Sequence, residues 1–289
     1  MEWTVKLKKG DRKYSLPLGA RTVIMGVLNT SPDSFSGDGI SSPKEAILKA
    51  EELVKSGADI IDVGGQSTRP GAEAISIGEE IRRTAGLINE IVKEFNIPVS
   101  IDTYKAPVAE AALSSGASII NDISGLKFDG GMAHLASRAG VPVILMHIKG
   151  TPKDMQKGEI IYDDLMGEIK KYLQESINIA LKAGVHGDLI IIDPGIGFGK
   201  TVNHNLIILK RLRELKELGK PILVGTSRKS MIGKILNLPE GERLEGTAAT
   251  VALSIANGAD IIRVHDVKEI KRVAVMTDAI VRAHEDKCG

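Results

Sequence analysis

Polar residues recur where short apolar stretches of this chain end. Asp193, for example, follows the run Leu-Ile-Ile-Ile at 189–192. Asp and Asn are favoured at turns and helix caps, which would explain any single position. Carboxylates gathered in one place repel one another unless a partner pairs them, so the set predicts a ligand with several N–H donors, such as a flat, nitrogen-rich heterocycle. The positions are Asn29, Asp62, Asp102, Asn121, His147, Asp193, Thr226, Arg263 and His265.

Two loops carry residues suited to binding or covering an anion. Residues 225–230, Gly-Thr-Ser-Arg-Lys-Ser, lead from a predicted strand into a predicted helix. Backbone N–H groups, hydroxyls and two cations therefore converge there, which suits phosphate or carboxylate. The alternative is an ordinary helix start with solvated basic side chains. Residues 64–71 form a long loop with glycines at both ends, which either closes over a site or is a flexible connection.

Metal ligands and nucleophiles are sparse. The six histidines have neither His-x-His nor His-Glu-x-x-His spacing, which argues against a zinc hydrolase, although His147 and His265 are both placed to reach one site. Asn29 suits a hard cation such as Mg²⁺, which takes one protein oxygen together with waters and substrate phosphates. No nucleophile elbow is present, and the one cysteine, Cys288, is next to last.

Residues 194–201 partly match a nucleotide-binding loop. Gly199, Lys200 and Thr201 fit the second half of the pattern Gly-x-x-x-x-Gly-Lys-Ser/Thr, but Pro194 occupies the position of the first glycine. Because that glycine sets the backbone of the loop, the match is weak. A P-loop NTPase would bind ATP or GTP.

Composition argues against several classes of function. Lys and Arg total 38 and Asp and Glu total 37, so the net charge of +1 favours neither nucleic acid nor an anionic membrane as a partner. Aromatic residues make up 3% of the chain, too few for a base-stacking surface. No apolar run approaches the length of a membrane span or a signal region. With a single cysteine no intrachain disulfide is possible, so we expect a soluble, cytoplasmic protein.

Strand and helix patterns alternate along most of the chain. Residues 4–8 and 12–16 predict a β-hairpin, and Glu79 is placed for a capping box with Ser76. Predicted strands cover residues 22–28, 59–63, 98–101, 118–120, 142–146, 189–192, 221–224 and 261–264. Predicted helices cover residues 43–56, 76–95, 106–115, 131–139, 162–183, 205–218, 229–236, 245–257 and 267–284.

These units predict an α/β fold, a (β/α)8 TIM barrel with an N-terminal β-hairpin. Strands that alternate with helices form parallel sheets, and eight such units fit a barrel of typical length. Gly-Ala-Asp-Ile-Ile at residues 57 and 258, and Gly-Ala-Ser-Ile-Ile at residue 116, repeat one helix-to-strand junction. A doubly wound open sheet is the alternative. We expect one domain over residues 1–289, with the hairpin at 1–20 and the barrel at 22–285. In a barrel of this kind, the loops after the strands build the active site.

Five sequence motifs resemble those of the dihydropteroate synthase family. They are Val-Leu-Asn-Thr-Ser-Pro-Asp-Ser-Phe-Ser at 27–36, Ser-Thr-Arg-Pro-Gly at 67–71, Asp-Pro-Gly-Ile-Gly-Phe-Gly-Lys at 193–200, Ser-Arg-Lys-Ser at 227–230 and Arg-Val-His-Asp at 263–266. They occur in order over essentially the whole predicted barrel. One departure is Gln66, where the family usually has Glu; we expect a tuned loop and intact activity.

The resemblance implies an enzyme of folate synthesis that uses Mg²⁺. It would condense p-aminobenzoate with 6-hydroxymethyl-7,8-dihydropterin pyrophosphate to give 7,8-dihydropteroate and pyrophosphate, through a cationic pterin intermediate and without a protein nucleophile. It also implies that sulfonamides occupy the p-aminobenzoate pocket, that the loops at 29–38 and 64–71 close over the site, and that the protein is a homodimer through outer helices late in the chain.

Residue roles carry over from the matching motif positions. The pterin-binding residues would be Asp102, Asn121, Ile123, Met146, Asp193, Lys229 and Arg263. The metal ligand would be Asn29, and the pyrophosphate contacts Asn29, Arg263 and His265. The p-aminobenzoate pocket would contain Thr68, Arg69, Pro70, Phe198, Lys229 and Ser230. The residues expected to act in catalysis are Asp102, Asp193, Lys229, Arg263 and His265.

Two related interpretations remain open. The pterin-binding barrel of methyltetrahydrofolate–corrinoid methyltransferases has similar Asp and Asn residues at strand ends. The loops containing Thr68–Pro70 and Ser227–Ser230 favour the synthase, because a methyltransferase handles no pyrophosphate. A non-catalytic pterin-binding paralogue is the other, although every motif position holds a usable residue.

Overall fold

A two-stranded hairpin and eight parallel strands form the frame of the protein. The computed structural model describes residues 3–9, 12–30 and 43–283. The hairpin strands are β1, Trp3–Lys9, and β2, Arg12–Leu18. The parallel strands are β3, Val23–Asn29; β4, Ile60–Gly64; β5, Val99–Asp102; β6, Ile119–Asp122; β7, Val143–Met146; β8, Ile190–Asp193; β9, Leu223–Val224; and β10, Ile261–Val264.

The parallel strands close into a barrel. Strands β3 to β8 pair with their neighbours in chain order, β10 pairs with β3, and β9 pairs with β10. A parallel bridge between Ile192 of β8 and Ile222, directly before β9, joins the two remaining edges. This closure confirms the predicted (β/α)8 barrel, and the doubly wound open sheet is wrong.

Helices surround the barrel and follow its strands. They are α1, Pro43–Lys55; α2, Ile77–Glu94; α3, Ala106–Ser114; α4, Met132–Ala139; α5, Leu165–Lys182; α6, Val202–Lys210; α7, Ser230–Leu236; α8, Leu244–Ala256; and α9, Val267–Val281. Short 3₁₀ segments cover Gly187–Leu189, Leu212–Leu218 and Glu240–Glu242. Among the described helices, none has both the length and the apolar character that a membrane crossing requires.

Two apolar cores hold the strands in place. Alternate side chains of a strand point to opposite faces, so in β4 Ile61 and Val63 pack against the helices while Ile60 lies in the barrel interior. Leu16 and Leu18 of the hairpin join that interior cluster. The same alternation turns Asp62 inward, two residues after Ile60, so the interior changes from apolar to charged along the strand.

The region predicted as one helix over residues 205–218 is two segments. Thr201 and His204 form a capping box that starts α6 at Val202, three residues earlier than predicted. The helix ends at Lys210, and a 3₁₀ segment follows in which Leu212 and Leu215 are buried. Their spacing of three suits a 3₁₀ helix, in which residues i and i+3 share a face.

The predicted capping box of α2 is only half formed. Ser76 Oγ accepts the backbone N–H of Glu79 at 3.2 Å, as expected. The Glu79 carboxylate instead accepts hydrogen bonds from Arg82 and Arg83 one turn later. Two guanidinium groups within reach outcompete a single backbone N–H, because hydrogen bonds between charged partners are stronger.

Candidate active site

A cavity of about 240 Å³ lies at the carboxyl ends of the barrel strands. Strands β3, β5, β6, β7, β8 and β10 and the loops after β4, β8 and β9 contribute its walls. The predicted site residues that line it are Asn29, Thr68, Arg69, Pro70, Asp102, Asn121, Ile123, Met146, Asp193, Phe198, Lys229, Ser230, Arg263 and His265. Every site residue implied by the resemblance therefore borders one cavity, while the role of each remains a prediction.

Arg263 is held between two carboxylates. Its Nε donates to Asp62 Oδ2 at 2.6 Å and its Nη2 to Asp102 Oδ2 at 2.7 Å. Oδ1 of each aspartate is buried and accepts no hydrogen bond from the part of the chain that is described. Burial raises the pKa of Asp102 to about 7; the Arg263 guanidinium opposes this effect, and the carboxylates of Asp62 and Glu80 add to it. Asp102 therefore presents a buried acceptor whose charge changes near neutral pH.

Asn121 has a fixed orientation. Its Nδ2 donates to Asp62 Oδ2 at 3.2 Å, and because a carboxylate only accepts, this bond determines which end of the amide is the nitrogen. The backbone register places Asn121 beside Asp102. The Asn121 carbonyl is thus the end left to present an acceptor to the cavity, next to Asp102.

Asp193, at the end of β8, and Lys229, in the turn after β9, line the same cavity with opposite charges. Asp193 Oδ1 accepts the backbone N–H of Gly195 at 2.7 Å. Burial raises the pKa of Asp193 to about 6, opposed by that N–H and by Lys229. Burial lowers the pKa of Lys229 to about 8; Arg263 adds to this effect, while Asp193 and Asp102 oppose it. At neutral pH the pair offers one charged acceptor and one charged donor.

The turn after β9 brings both Arg228 and Lys229 to the cavity, but the guanidinium of Arg228 is paired with Asp266. Arg228 has a φ of 57°, a left-handed conformation that side chains rarely adopt. Its guanidinium binds Asp266 through Nη2 at 2.6 Å and Nε at 3.1 Å. Lys229 Nζ lies 4.4 Å from the ring centroid of Phe198. Arg228 and Lys229 were both expected to bind one anion. Because Arg228 already pairs with Asp266, Lys229 is the better placed of the two to bind a ligand.

His265 is half-buried and neutral. Burial lowers its pKa well below the ordinary value, and the cations Arg263 and Arg228 add to this effect. Ser227 Oγ accepts the backbone N–H of His265 at 3.2 Å and lies 3.0 Å from its Nδ1. We infer that the hydroxyl donates its own proton to Nδ1, which leaves the ring proton on Nε2. A neutral donor at Nε2 is suited to an anionic ligand.

The loop at 64–71 is anchored at both sides of the cavity mouth. The Arg69 guanidinium binds Glu240 through Nη2 at 2.8 Å and Nη1 at 3.3 Å. The backbone N–H of Gly71 donates to the carbonyl of Pro152 at 2.9 Å. Arg69 is therefore already paired with a carboxylate. The other loop predicted to close, at 29–38, lies almost entirely outside the described residues, as does Cys288.

A buried network that the sequence analysis missed supports the same loop. Lys105 Nζ donates at 2.7 Å to Gln66 Oε1, to the carbonyl of Ile75 and to Glu80 Oε2, and Thr103 donates to Glu80 Oε1. The sequence could have predicted a buried partner for Glu80, because this glutamate falls on the same face of α2 as the buried apolar residues. A charged residue on the buried face of a helix needs a partner. The sequence around Glu240 gives no such indication, since its partner Arg69 is 171 residues away.

Three polar residues predicted to face the site do not border the cavity. His147 is buried, and its Nδ1 lies 2.8 Å from Lys200 Nζ. Thr226 is buried and accepts a hydrogen bond from Thr250. Asp62 lies within β4 rather than after it and is covered by Arg263. The strand-end position of a polar residue therefore did not suffice to predict access to the site.

The P-loop interpretation is also wrong. Gly195 and Gly199 have φ values of 68° and 62°. A Cβ at 195 would collide with the backbone carbonyl of His147, and one at 199 with that of Lys149. The glycines allow close packing of two backbones. Lys200 is 2% exposed and points away from solvent. The backbone at Gly195 and Gly199 therefore packs against the segment after β7 and is not free to wrap a nucleotide phosphate.

Comparisons with known proteins agree with the site. The pterin binding enzyme family matches residues 25–265. The dihydropteroate synthase of Clostridium beijerinckii is 51% identical over 278 residues, 96% of this chain and 100% of the relative. A Yersinia pestis dihydropteroate synthase solved as a sulfonamide drug complex superposes with a TM-score of 0.91 at 39% identity, covering 96% of this chain and 100% of that one. The Clostridium difficile enzyme, crystallised in the presence of pteroic acid, superposes with a TM-score of 0.86 at 48% identity, covering 92% of this chain and 99% of that one.

The match to the family covers the strands and loops that line the cavity, and the identity of about half extends over nearly the whole length of the relative. A methyltransferase or nucleotide-binding protein is not favoured by these similarities. The chain belongs to the pterin-binding enzymes and, within them, to the dihydropteroate synthases, transferases of folate synthesis.

Proposed function

We propose that the cavity joins p-aminobenzoate to 6-hydroxymethyl-7,8-dihydropterin pyrophosphate, giving 7,8-dihydropteroate and pyrophosphate. The observation that carries this proposal is the group of acceptors beside Arg263: Asp102 Oδ1, the fixed carbonyl of Asn121, and Asp193. A pterin ring presents several N–H donors along one edge, which such acceptors pair with. The pteroic acid present with the Clostridium difficile relative contains both halves of the proposed product.

The pterin half would lie against the strand ends. Asp102, Asn121 and Asp193 would accept its N–H groups, and Lys229 would donate to a ring acceptor. Ile123 and Met146 belong to one apolar cluster that borders the cavity and would form the walls. Arg263 uses Nε and Nη2 on the two aspartates, so Nη1 and the guanidinium face would remain for the ligand.

The departing pyrophosphate would be bound by Asn29, Arg263 and His265. Among the described residues no cluster of three or more His, Cys, Asp or Glu is arranged to hold a metal ion. Asn29 lines the cavity and offers a hard oxygen, which fits Mg²⁺ held mainly by phosphate oxygens and water. When bound, Mg²⁺ would neutralise charge that develops on the pyrophosphate. Arg263 and the Nε2–H of His265 would stabilise the same charge.

The arylamine would enter beside the loop at 64–71. Thr68, Arg69, Pro70, Phe198 and Ser230 share this part of the cavity lining. The C–O bond to pyrophosphate breaks with its electron pair leaving on the pyrophosphate, and the amine lone pair forms the new C–N bond. The nitrogen then loses a proton to solvent. Asp102 and Asp193 would stabilise positive charge on the pterin between these events, without acting as nucleophiles.

One incubation tests the reaction. Purified protein with Mg²⁺, p-aminobenzoate and the dihydropterin pyrophosphate ester should form dihydropteroate, detected by mass spectrometry, and an equal amount of pyrophosphate. Omission of either substrate should abolish both products. The variants Lys229→Ala and Asp193→Ala test the residue roles, which are wrong if both keep wild-type turnover and pterin affinity. Pterin binding without product would instead favour the methyltransferase or the non-catalytic paralogue.

We also propose a cytoplasmic homodimer. The single cysteine leaves no intrachain disulfide, which suits a reducing compartment. Leu253 of α8 and Val275, Met276 and Ile280 of α9 are large apolar side chains that are exposed, and α8 and α9 pack together. An exposed apolar surface of this kind favours association with a second copy. Sedimentation as a monomer at micromolar concentration would contradict the dimer.

A further inference from the structure

Lys200 is a buried cation whose bonds go to neutral acceptors. Its Nζ lies 2.8 Å from His147 Nδ1, 2.9 Å from the carbonyl of Phe198 and 3.5 Å from the carbonyl of His147. The residue is 2% exposed and does not line the cavity. Burial lowers the pKa of Lys200 well below its ordinary value, although Asp193 opposes this effect. Burying an ammonium is costly, so its position calls for an explanation beyond packing.

The three bonds join the two segments that meet at the end of β8. One segment is residues 147–149, directly after β7, and the other is the glycine-rich loop at 194–200. The loop lies so close to residues 147–149 that glycine is required at 195 and 199. Lys200 ends the loop, and its side chain returns to bond both its own loop, at Phe198, and the facing segment, at His147. The lysine therefore fixes the loop against the segment that follows β7.

His147 is suited to accept this bond. Burial lowers the pKa of His147 to about 2, and the nearby Lys200 adds to this effect. The imidazole is therefore neutral, and with its proton on Nε2 it accepts at Nδ1. Its ring packs edge-on against Tyr172 with centroids 4.8 Å apart, so the acceptor is itself held in place.

Phe198 is the bulky side chain with which this loop borders the apolar part of the cavity, beside Ile196 and Gly197. Its ring is 9% exposed and packs with Ile123, Met146 and Met155, which also line the cavity. Its backbone N–H donates to Gly195 at 3.1 Å, and its carbonyl accepts from Lys200. Lys200 thus bonds one of the two peptide units that flank Phe198, and the Gly195 carbonyl bonds the other, so the backbone that carries the ring is fixed on both sides.

We propose that Lys200 is a positioning residue for the arylamine half of the cavity, acting through Phe198. This inference rests on the proposed function, in which Phe198 borders p-aminobenzoate. Of the proposed pterin-binding residues, Asp102, Asn121 and Arg263 lie on strands β5, β6 and β10, away from these bonds. Asp193 directly precedes the loop, but its carboxylate is held by the backbone N–H of Gly195 and has no hydrogen bond to Lys200. Loss of Lys200 therefore affects p-aminobenzoate more than the pterin substrate.

The variant Lys200→Met keeps the apolar stem and removes all three bonds. KM for p-aminobenzoate should rise about tenfold, in keeping with the loss of a hydrogen bond from a charged donor, while KM for the dihydropterin pyrophosphate changes less than about twofold. In a Phe198→Ala background the effect of Lys200→Met on the p-aminobenzoate KM should disappear, because interacting residues are not additive. If Lys200 only stabilised the fold, Lys200→Met would still raise the p-aminobenzoate KM in the Phe198→Ala background.

Two further variants complete the test. Tyr162→Phe removes the hydrogen bond from Tyr162 to the Gly199 carbonyl, 2.9 Å, in the same loop, and should leave both KM values unchanged. His147→Phe keeps the contact with Tyr172 and removes the Nδ1 acceptor that ties Lys200 to the facing segment. It should therefore raise the p-aminobenzoate KM in the same direction even if Lys200→Met does not fold. Equal changes in both KM values, or none, would overturn the inference. An inactive wild-type protein would instead overturn the proposed function.

Discussion

Asp62 does not line the cavity, yet one of its oxygens is bonded to two residues that do. Asp62 Oδ2 accepts from Arg263 Nε at 2.6 Å and from Asn121 Nδ2 at 3.2 Å. The carboxylate is fully buried, so the charge of Arg263 is its main compensation. Asp62 therefore sets both the direction of the guanidinium and the orientation of the amide.

The variant Asp62→Asn should weaken use of the pterin substrate. An amide is neutral, so its oxygen binds the Arg263 guanidinium less strongly than the Asp62 carboxylate does. We expect Arg263 to turn towards Asp102, and the side chain of Asn121 to lose its fixed orientation. We expect kcat/KM for the dihydropterin pyrophosphate to fall about 10- to 100-fold, or about 1.4 to 2.7 kcal/mol. KM for p-aminobenzoate should change little. Steady-state kinetics with each substrate varied in turn provide the measurement.

The control lies at the other end of the same strand. Asp59, just before β4, forms an ion pair with Arg21 at 2.7 Å. It lies at the amino end of the strand, whereas the cavity lies at the carboxyl ends. Asp59→Asn should lower the unfolding temperature without changing either substrate's kcat/KM. If Asp59→Asn and Asp62→Asn reduce activity equally, the positioning role of Asp62 is wrong.

Pterin affinity should have a maximum between pH 7 and 8. Burial raises the pKa of Asp102 to about 7 and that of Asp193 to about 6, so both carboxylates gain protons as pH falls below 7. A protonated carboxyl accepts N–H groups poorly, and affinity should fall by up to about tenfold per pH unit for each group. Above pH 8 Lys229, whose pKa burial lowers to about 8, loses its charge, and affinity should fall again.

Calorimetric titration of a hydroxymethylpterin, which lacks pyrophosphate, measures this profile without the ionisation of the leaving group. Asp102→Asn should remove the pH dependence close to 7 and keep the part near 6 that belongs to Asp193. An affinity that is constant from pH 5 to 8 would mean that the carboxylates do not contact the pterin.

Residues whose partners are local in sequence were predictable, and those held by distant partners were not. The run at 189–192 followed by Asp193 predicted a strand with a carboxylate at its end and placed that carboxylate in the active site, because the residues that follow barrel strands build the site. His147 follows the same pattern, yet it turns to Lys200, 53 residues away. Asp62 has its charge partner 201 residues away at Arg263. The closure of the barrel creates these contacts, so no local pattern contains them.

The ion pair between Arg69 and Glu240 should affect p-aminobenzoate binding rather than stability. Both side chains are partly exposed, at 33% and 26%, and such pairs contribute about 0.2 to 1 kcal/mol. Glu240→Gln should release Arg69 and the loop at 64–71, raising KM for p-aminobenzoate about two- to fivefold with kcat unchanged. The unfolding temperature should hardly change.

Salt dependence distinguishes this pair from general surface charge. Screening weakens exposed ion pairs, so the wild-type KM for p-aminobenzoate should rise with ionic strength more steeply than that of Glu240→Gln. Lys153, which pairs with Glu73 at 3.1 Å in an exposed position nearby, supplies the control variant Lys153→Gln. If Lys153→Gln has the same effect as Glu240→Gln, the bond to Arg69 has no special role.

Gln66→Glu should leave the enzyme active. Gln66 Oε1 accepts from Lys105 and from the backbone of Ile75, and Nε2 donates to the Tyr104 hydroxyl at 2.9 Å. A carboxylate keeps both accepted bonds, and the hydroxyl of Tyr104 rotates to donate instead. Lys105 then has two carboxylate partners, since it already binds Glu80 at 2.7 Å. We expect kcat/KM within about threefold of wild type for both substrates.

The matched variant Gln66→Leu removes the acceptor and leaves Lys105 with one bond fewer. Because Lys105 is mostly buried, a lost hydrogen bond to its ammonium should cost about 1 to 3 kcal/mol of unfolding free energy. The loop at 64–71 should loosen as well, raising KM for p-aminobenzoate while the pterin KM stays constant. Denaturant unfolding and kinetics of the two variants separate the requirement for an acceptor from that for a charge. If Gln66→Glu loses as much activity as Gln66→Leu, the amide nitrogen and its bond to Tyr104 are what the loop requires.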